Sequence, residues 1–156
     1  MKKLYYFLLL ALPVMMFASC DDDNSLPSVD VSIQLDGGVS VNDIIYVVQG
    51  DTLSVESINV VNKEHGKNAI ITSATYSWDY AFVGVSVTPP YGAEFITENM
   101  PIGQHLLQIE CPVYAVDKSP AMMYMAYKVK IVESADDIPS GDQVTQFTTT
   151  PGIKES

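Results

Sequence analysis

The chain has 156 residues, of which 47% are hydrophobic, so it can bury a modest core and does not have the composition of a disordered protein. It carries 19 acidic residues against 8 basic ones, all of them lysine, and its net charge at pH 7 is −11. A protein that binds nucleic acid needs a basic surface, and this charge balance disfavours that class.

Residues 1–19 have the pattern of an export signal. Two lysines follow the first methionine, an apolar run ends at Phe17, and two small residues precede Cys20. The apolar run is shorter than the roughly 20 residues that a membrane-spanning helix needs.

The stretch Phe17-Ala18-Ser19-Cys20 resembles the lipobox of bacterial lipoproteins. This resemblance implies cleavage before Cys20 and acylation of its sulfur and of its new amino group, so that lipidated Cys20 would anchor the protein to a membrane. The alternative is an ordinary secretory signal followed by an unrelated cysteine.

Residues 20–28 are predicted to form an acidic tether. Three aspartates, Asp21 to Asp23, follow Cys20, and such a run resembles the surface-export signal of Bacteroidota lipoproteins, which implies the outer face of the outer membrane. A plain solvated tether is the alternative. After residue 19 the chain keeps six lysines against 19 acidic residues, a net charge of −13. Anionic lipid would repel such a chain, so the acyl group must supply the anchor.

From Val29 to Glu133 the chain is a series of short runs in which apolar and polar side chains alternate, the period of a half-buried β-strand. Glycine, proline and aspartate separate the runs, and no helical periodicity follows the signal. The predicted strands are Val29–Leu35, Asp43–Gln49, Thr52–Val61, Ile70–Asp79, Tyr80–Thr88, Ala93–Thr97, Gln104–Val116 and Ala121–Val132.

Two of these runs are expected to organise the sheets. In Ile70–Asp79 the inward face is expected to hold every second residue from Ile70 to Trp78. In Gln104–Val116 the inward face includes Cys111, whose thiol is therefore expected to be buried and inert. Residues 134–156 lose the alternation and are predicted to be a flexible tail.

Seven or eight short strands without helices predict an all-β fold, a single antiparallel sandwich over residues 29–133. Short motifs resemble those of bacterial Ig-like and polycystic-kidney-disease-like (PKD) domains. They are Val48-x-Gly50-Asp51-Thr52-Leu53, Tyr76-Ser77-Trp78-Asp79, Pro90-Tyr91, Gly103-x-His105-x-Leu107 and Val129-x-Ile131. The resemblance implies an Ig-like scaffold, a fold that has no activity of its own.

The sequence contains none of the patterns HExxH, CxxC, GxSxG or the phosphate-binding loop. Of its two histidines, His65 lies in a charged loop, and His105 is expected to border the core, as the Ig-like resemblance implies. Aspartates in several turns could offer oxygen ligands to calcium, but ordinary turn hydrogen bonds are the favoured interpretation. We therefore expect a protein that is not an enzyme and that has no cofactor and no metal.

Three aromatic residues, Tyr80, Phe82 and Tyr91, are the candidate ligand-contact residues. Aromatic rings on the loops of a sandwich can stack on the apolar faces of sugars. The favoured alternative is that these rings, together with Phe95, plug the ends of the sandwich.

The predicted function is that of a lipid-anchored protein of the outer membrane, exposed at the cell surface, whose Ig-like domain serves binding or assembly. An edge strand or an apolar loop would dock on a larger outer-membrane protein. One alternative is a glycan-binding accessory lipoprotein of an outer-membrane nutrient-uptake system. Another is a hydrolase, which would need two acids converging in a cleft.

Overall fold

The computed structural model describes residues 25–64 and 68–156. The predicted export signal, Cys20 with the three aspartates after it, and His65 therefore lie outside the described residues. No helix within the two described ranges has the length and hydropathy needed to cross a bilayer.

The described chain consists almost entirely of strands, with one short 3-10 turn at Ala135–Asp137. The strands are β1 (Val29–Asp36), β2 (Val39–Val41), β3 (Ile44–Val48), β4 (Thr52–Asn62), β5 (Ala69–Ile71), β6 (Ala74–Trp78), β7 (Ala81–Ser86), β8 (Ala93–Ile96), β9 (Gly103–Ala115), β10 (Ala121–Val132), β11 (Gln146–Thr149) and β12 (Gly152–Glu155).

These strands form two sheets. Sheet A has the order β11-β1-β4-β8, and sheet B has the order β2-β3-β10-β9-β6-β7, with β12 paired to β10 and β5 paired to β9. The strand pairs are antiparallel except that of β3 with β10, which is parallel.

The core lies between the two sheets because each central strand turns every second side chain inward. In β9 the inward residues run from Leu107 to Val113 and include Cys111, as the alternation predicts, and all of them are fully buried. In β1 the inward residues from Val29 to Leu35 pack in the same cluster from sheet A. The prediction of an all-β sandwich is therefore confirmed.

The run Ile70–Asp79 is not one strand, and this part of the prediction is wrong. Thr72 and Ser73 separate β5 from β6, so the alternation changes phase between the two strands. Ile71 is buried and Ile70 is 59% exposed, whereas Tyr76 and Trp78 point inward as predicted. The sequence pattern does not reveal this break, because each of the two strands keeps its own alternation of inward and outward side chains.

The predicted end of the sandwich at residue 133 is also wrong. Strand β11 pairs with β1 and strand β12 pairs with β10, so the stretch predicted as a flexible tail contributes a strand to each sheet. These added strands, with the short β2 and β5, bring the described strands to twelve instead of seven or eight.

At the other end, residues 25–28 of the predicted tether lie against the sandwich. Leu26 packs on the core and Pro27 is buried, while the Ser25 carbonyl oxygen accepts a hydrogen bond from the Ser119 N–H at 3.3 Å. The described chain therefore begins beside the turn between β9 and β10.

Candidate functional site: the β7 edge

A two-residue turn joins β6 to β7. Trp78 pairs with Ala81 across the hairpin, and the two residues between them, Asp79 and Tyr80, have φ angles of 50° and 68°. Positive φ at both central residues is the geometry of a type I′ turn, which favours Asn-Gly or Asp-Gly. Asp79 suits the first position, but Tyr80 occupies a position where glycine would be unstrained.

The strand before the turn is anchored in the core. Trp78 is 7% exposed, and its ring lies 5.3 Å from that of Phe95 in sheet A. Tyr76, which is also buried, makes an edge contact with Phe95 at 5.9 Å between ring centroids. Strand β6 is thus held by aromatic packing between the sheets, which gives β7 a rigid support.

His105 connects this hairpin to the segment before β9. Its Nδ1 lies 2.7 Å from Asp79 Oδ2, and its Nε2 lies 2.8 Å from the Pro101 carbonyl oxygen. Both of these oxygens accept hydrogen bonds, so the doubly protonated ring donates to each of them. The Trp78 Nε1–H also lies 3.3 Å from Nδ1, and it can donate to that nitrogen only when Nδ1 carries no proton. Asp79 Oδ1 accepts a further hydrogen bond from the Leu106 N–H at 2.8 Å. The prediction that His105 borders the core is confirmed, since its side chain is 7% exposed and stacks on Trp78.

These contacts shift the titration of both groups. Burial would lower the pKa of His105, but the hydrogen bonds to Asp79 and to the Pro101 carbonyl outweigh burial, and the pKa is raised. Burial would raise the pKa of Asp79, but the hydrogen bonds from His105 and from the Leu106 N–H lower it below its ordinary value. The charged forms of both groups are therefore favoured in the fold.

Strand β7 itself is exposed on both of its faces, unlike β6 beside it. Five large apolar side chains on β7 and beside its two ends are at the surface: Tyr80 in the turn at 80%, Phe82 at 69%, Val83 at 46% and Val85 at 51% in the strand, and Val87 after the strand at 67%. Such a concentration of exposed apolar side chains on one segment is the usual mark of an interaction surface.

A bulge explains why both faces are exposed. The register with β6 shifts between Tyr76 and Ser77, so that Phe82 pairs with Ser77 and Gly84 pairs with Tyr76. Val83 has no partner of its own in β6, and the inward positions around it hold small residues. Strand β7 thus supports the sheet through its backbone and adds little to the core.

The structure separates the three aromatic residues that the sequence marks as candidate contacts. It places Tyr80 and Phe82 together on the exposed hairpin. Tyr91 is half-buried against the core, its hydroxyl donates a hydrogen bond to the Ile71 carbonyl at 2.8 Å, and its own carbonyl accepts one from the Tyr76 hydroxyl. Phe95 is 2% exposed and packs inside.

Lysine is absent from the sequence around β7, and the cationic group beside its hairpin is the His105 ring paired with Asp79. No charged side chain lies between Asp79 and Glu94, and no lysine or arginine lies between Lys67 and Lys118. On sheet B the lysines of β10 are separated from β7 by β9 and β6, about 14 Å at the usual strand spacing. That distance exceeds the screening length of about 8 Å at physiological salt.

The sequence analysis did not identify Val83, Val85 and Val87 as candidate contact residues, although these valines add to the exposed apolar surface. The signal that could have identified them is the uncharged stretch from Tyr80 to Ala93, in a chain of which 17% is charged. Exposed edge strands normally carry a lysine, an inward-pointing charge or a proline.

Cys111 is a buried free thiol in the described part of the chain. Burial raises the pKa of the Cys111 thiol to about 12, so it is protonated and shielded from reagents. No group of three or more His, Cys, Asp or Glu side chains within residues 25–64 and 68–156 could hold a metal ion.

No known family model matches the chain, and no curated protein matches it. Among solved structures, it is similar to the fibronectin(III)-like modules of Clostridium thermocellum CbhA, with 14% sequence identity and a TM-score of 0.37. That match covers 64% of this chain and 94% of the other.

Proposed function

We propose that this chain is a lipid-anchored protein of the cell envelope, displayed on the outer membrane, whose sandwich binds another envelope protein without catalysing a reaction. The observation that carries the proposal is the uncharged segment of residues 80–87, which contains β7 and has five exposed large apolar side chains. An apolar surface of this kind on a strand at the edge of a sheet would promote aggregation if it had no partner.

The turn before β7 adds support. Tyr80 adopts φ of 68°, where a residue with a Cβ is disfavoured by about 1–2 kcal/mol, and its ring is the most exposed of the large apolar side chains in the described residues. A strained and exposed aromatic residue contributes little to folding. A contact between its ring and another protein would explain why tyrosine occupies this position.

The lipid anchor is tested at Cys20. Cells that make the full chain are labelled with an alkyne analogue of palmitate, and the protein is isolated from the membrane fraction. We expect label on the wild type and none on the Cys20→Ser variant, which should also leave the membrane fraction. A mature protein that retains Met1 would contradict this part of the proposal.

The binding surface is tested with two matched lysine substitutions. Val85 on β7 is 51% exposed and Val61 on β4 is 55% exposed, so neither change should disturb the core. In mild-detergent extracts of envelopes, wild type and Val61→Lys should migrate in a complex larger than the lipoprotein alone, and Val85→Lys should migrate alone. Equal migration of all three proteins would exclude β7 as the binding surface.

A second candidate function is glycan binding in an outer-membrane nutrient-uptake system, which is favoured by the exposure of Tyr80 and Phe82 on one hairpin. Aromatic side chains can stack on sugar rings. Retention of the domain on a polysaccharide panel, lost in Tyr80→Ala and Phe82→Ala but kept in Val85→Lys, would favour this function. Absence of retention on every polysaccharide would leave protein binding as the function.

A further inference from the structure

Strand β7 ends sheet B and pairs with β6 alone, so the backbone groups on its outer side have no strand partner in the described part of the chain. The other strands at an edge, β2, β5, β8, β11 and β12, are shorter, with three or four residues each. Strand β2 has three residues and is bridged by Val144 through two backbone hydrogen bonds, and β8 has four residues and carries Glu94. Strand β7 has six residues, none of them charged.

The composition of β7 suits the addition of another strand. Backbone hydrogen bonds would supply affinity, and alternate side chains would contact Phe82 and Val85 on the outer face of sheet B. Val85 lies opposite Thr75, Thr75 lies opposite Glu110, and Glu110 lies opposite Tyr124, so the Glu110 carboxylate is two strands away from β7.

A second copy of the chain fits this edge poorly. The chain enters the sandwich at Ser25, beside the turn that follows β9, and β7 runs in the same direction as β9. Antiparallel pairing of two copies through β7 would place their anchored ends at opposite ends of the pair. It would also bring together two chains that each have a net charge of −13 after residue 19.

We propose that β7 accepts an extended strand of a different protein, apolar and β-branched at its centre and flanked by lysine or arginine. This rests on the proposed function and specifies how the partner is recognised. The centre of the added strand would cover the valines and Phe82, and its basic flanks would face a chain that carries Asp79 at the start of the hairpin and has no lysine between Lys67 and Lys118. The partner's strand would become the next member of sheet B.

The test uses three synthetic peptides and the chain from Cys20, with Cys20 changed to serine to prevent lipidation. One peptide alternates valine and threonine and has a lysine pair at each end. The second has glutamate pairs in place of the lysines, and the third has a proline at its centre. Fluorescence anisotropy measures binding, and hydrogen–deuterium exchange identifies the amides that the peptide protects.

We expect the lysine peptide to bind about tenfold more tightly than the glutamate peptide and to weaken as salt is added. Exchange should slow in residues 81–87, and the proline peptide should not bind. Val85→Lys should abolish binding, and Val61→Lys should retain it. Equal affinity for the lysine and glutamate peptides, or protection elsewhere on the chain, would overturn the proposal.

Two further outcomes separate this inference from the proposed function. If the peptide-free chain sediments as a dimer that Val85→Lys dissociates, the edge belongs to a second copy and the inference is wrong. If no peptide binds while Val85→Lys still releases the protein from its envelope complex, β7 binds a partner by side-chain contacts instead of strand addition. If Val85→Lys leaves that complex intact, the proposed function fails as well.

Discussion

Two properties of Tyr80 are not explained by folding alone. Its φ angle is positive, which is strained for a residue with a side chain, and its side chain is 80% exposed. The conformation disfavours a side chain by about 1–2 kcal/mol, and glycine loses about 0.5–1 kcal/mol more backbone entropy than alanine on folding. We expect Tyr80→Gly to raise the free energy of unfolding by about 1 kcal/mol in urea titrations. Tyr80→Ala, which removes the ring but keeps the strain, is the control and should not be stabilised. A less stable glycine variant would show that the ring contributes to the fold.

His105 and Asp79 make stability depend on pH. The raised pKa of His105 means that its contribution is present below its ordinary pKa of 6.5 and is lost as pH rises through its folded value. The lowered pKa of Asp79 means that its contribution is present above its ordinary pKa of 3.8 and is lost as pH falls through its folded value. The pair is therefore at full strength between these two ordinary values.

A double-mutant cycle of Asp79→Asn and His105→Gln measures this coupling. We expect a coupling energy that is favourable near pH 5.5, below about 1 kcal/mol because the Asp79 side chain is 49% exposed, and smaller near pH 8.5. A coupling that grows as the pH rises would mean that the neutral ring is the form bound in the fold.

Among the strands, β11 is expected to contribute to the stability of the fold although its sequence has no clear apolar alternation. Its one large apolar residue, Phe147, is half-buried and makes an edge contact with Tyr127 at 5.4 Å. We expect Phe147→Ala to lower the free energy of unfolding by about 2 kcal/mol. Phe82→Ala, at an exposed position, should change it by less than about 0.5 kcal/mol. Equal, small effects would restore the interpretation of residues 134–156 as a tail.

The accuracy of the sequence prediction differs between elements for a physical reason. The bounds of β10 are those predicted, and those of β9 differ by one residue, because both strands have long alternating runs with one face in the core. Strands β11 and β12 have few apolar residues. They are held in place by backbone pairing with β1 and β10, which are distant in the sequence, and local periodicity does not reveal such pairing.

Only part of the candidate site could be predicted from the sequence. The exposure of Tyr80 and Phe82 was expected if they contacted a ligand, but the involvement of Tyr91 in packing depends on the fold, which brings Ile71 to its hydroxyl. The exposure of the valines could not be predicted from the alternation, because an edge strand and a central strand can have the same apolar pattern.

At the scale of the whole molecule, the excess of acidic residues should affect stability through self-repulsion. With a net charge of −11 and few close ion pairs in the described ranges, added sodium chloride should screen more repulsion than attraction. We expect the melting temperature to rise by about 2–4 °C between low and physiological salt. A fall in melting temperature would show that local ion pairs outweigh the overall repulsion.

The account as a whole depends on β7 being covered by a partner in the envelope. The most direct measurement places a photo-crosslinking phenylalanine analogue at position 82 or at position 61 of the full chain and irradiates intact cells. We predict a discrete crosslinked protein from position 82 and none from position 61. Crosslinks from position 61 alone, or no crosslink from either position, would contradict the assignment of the β7 edge as the binding surface.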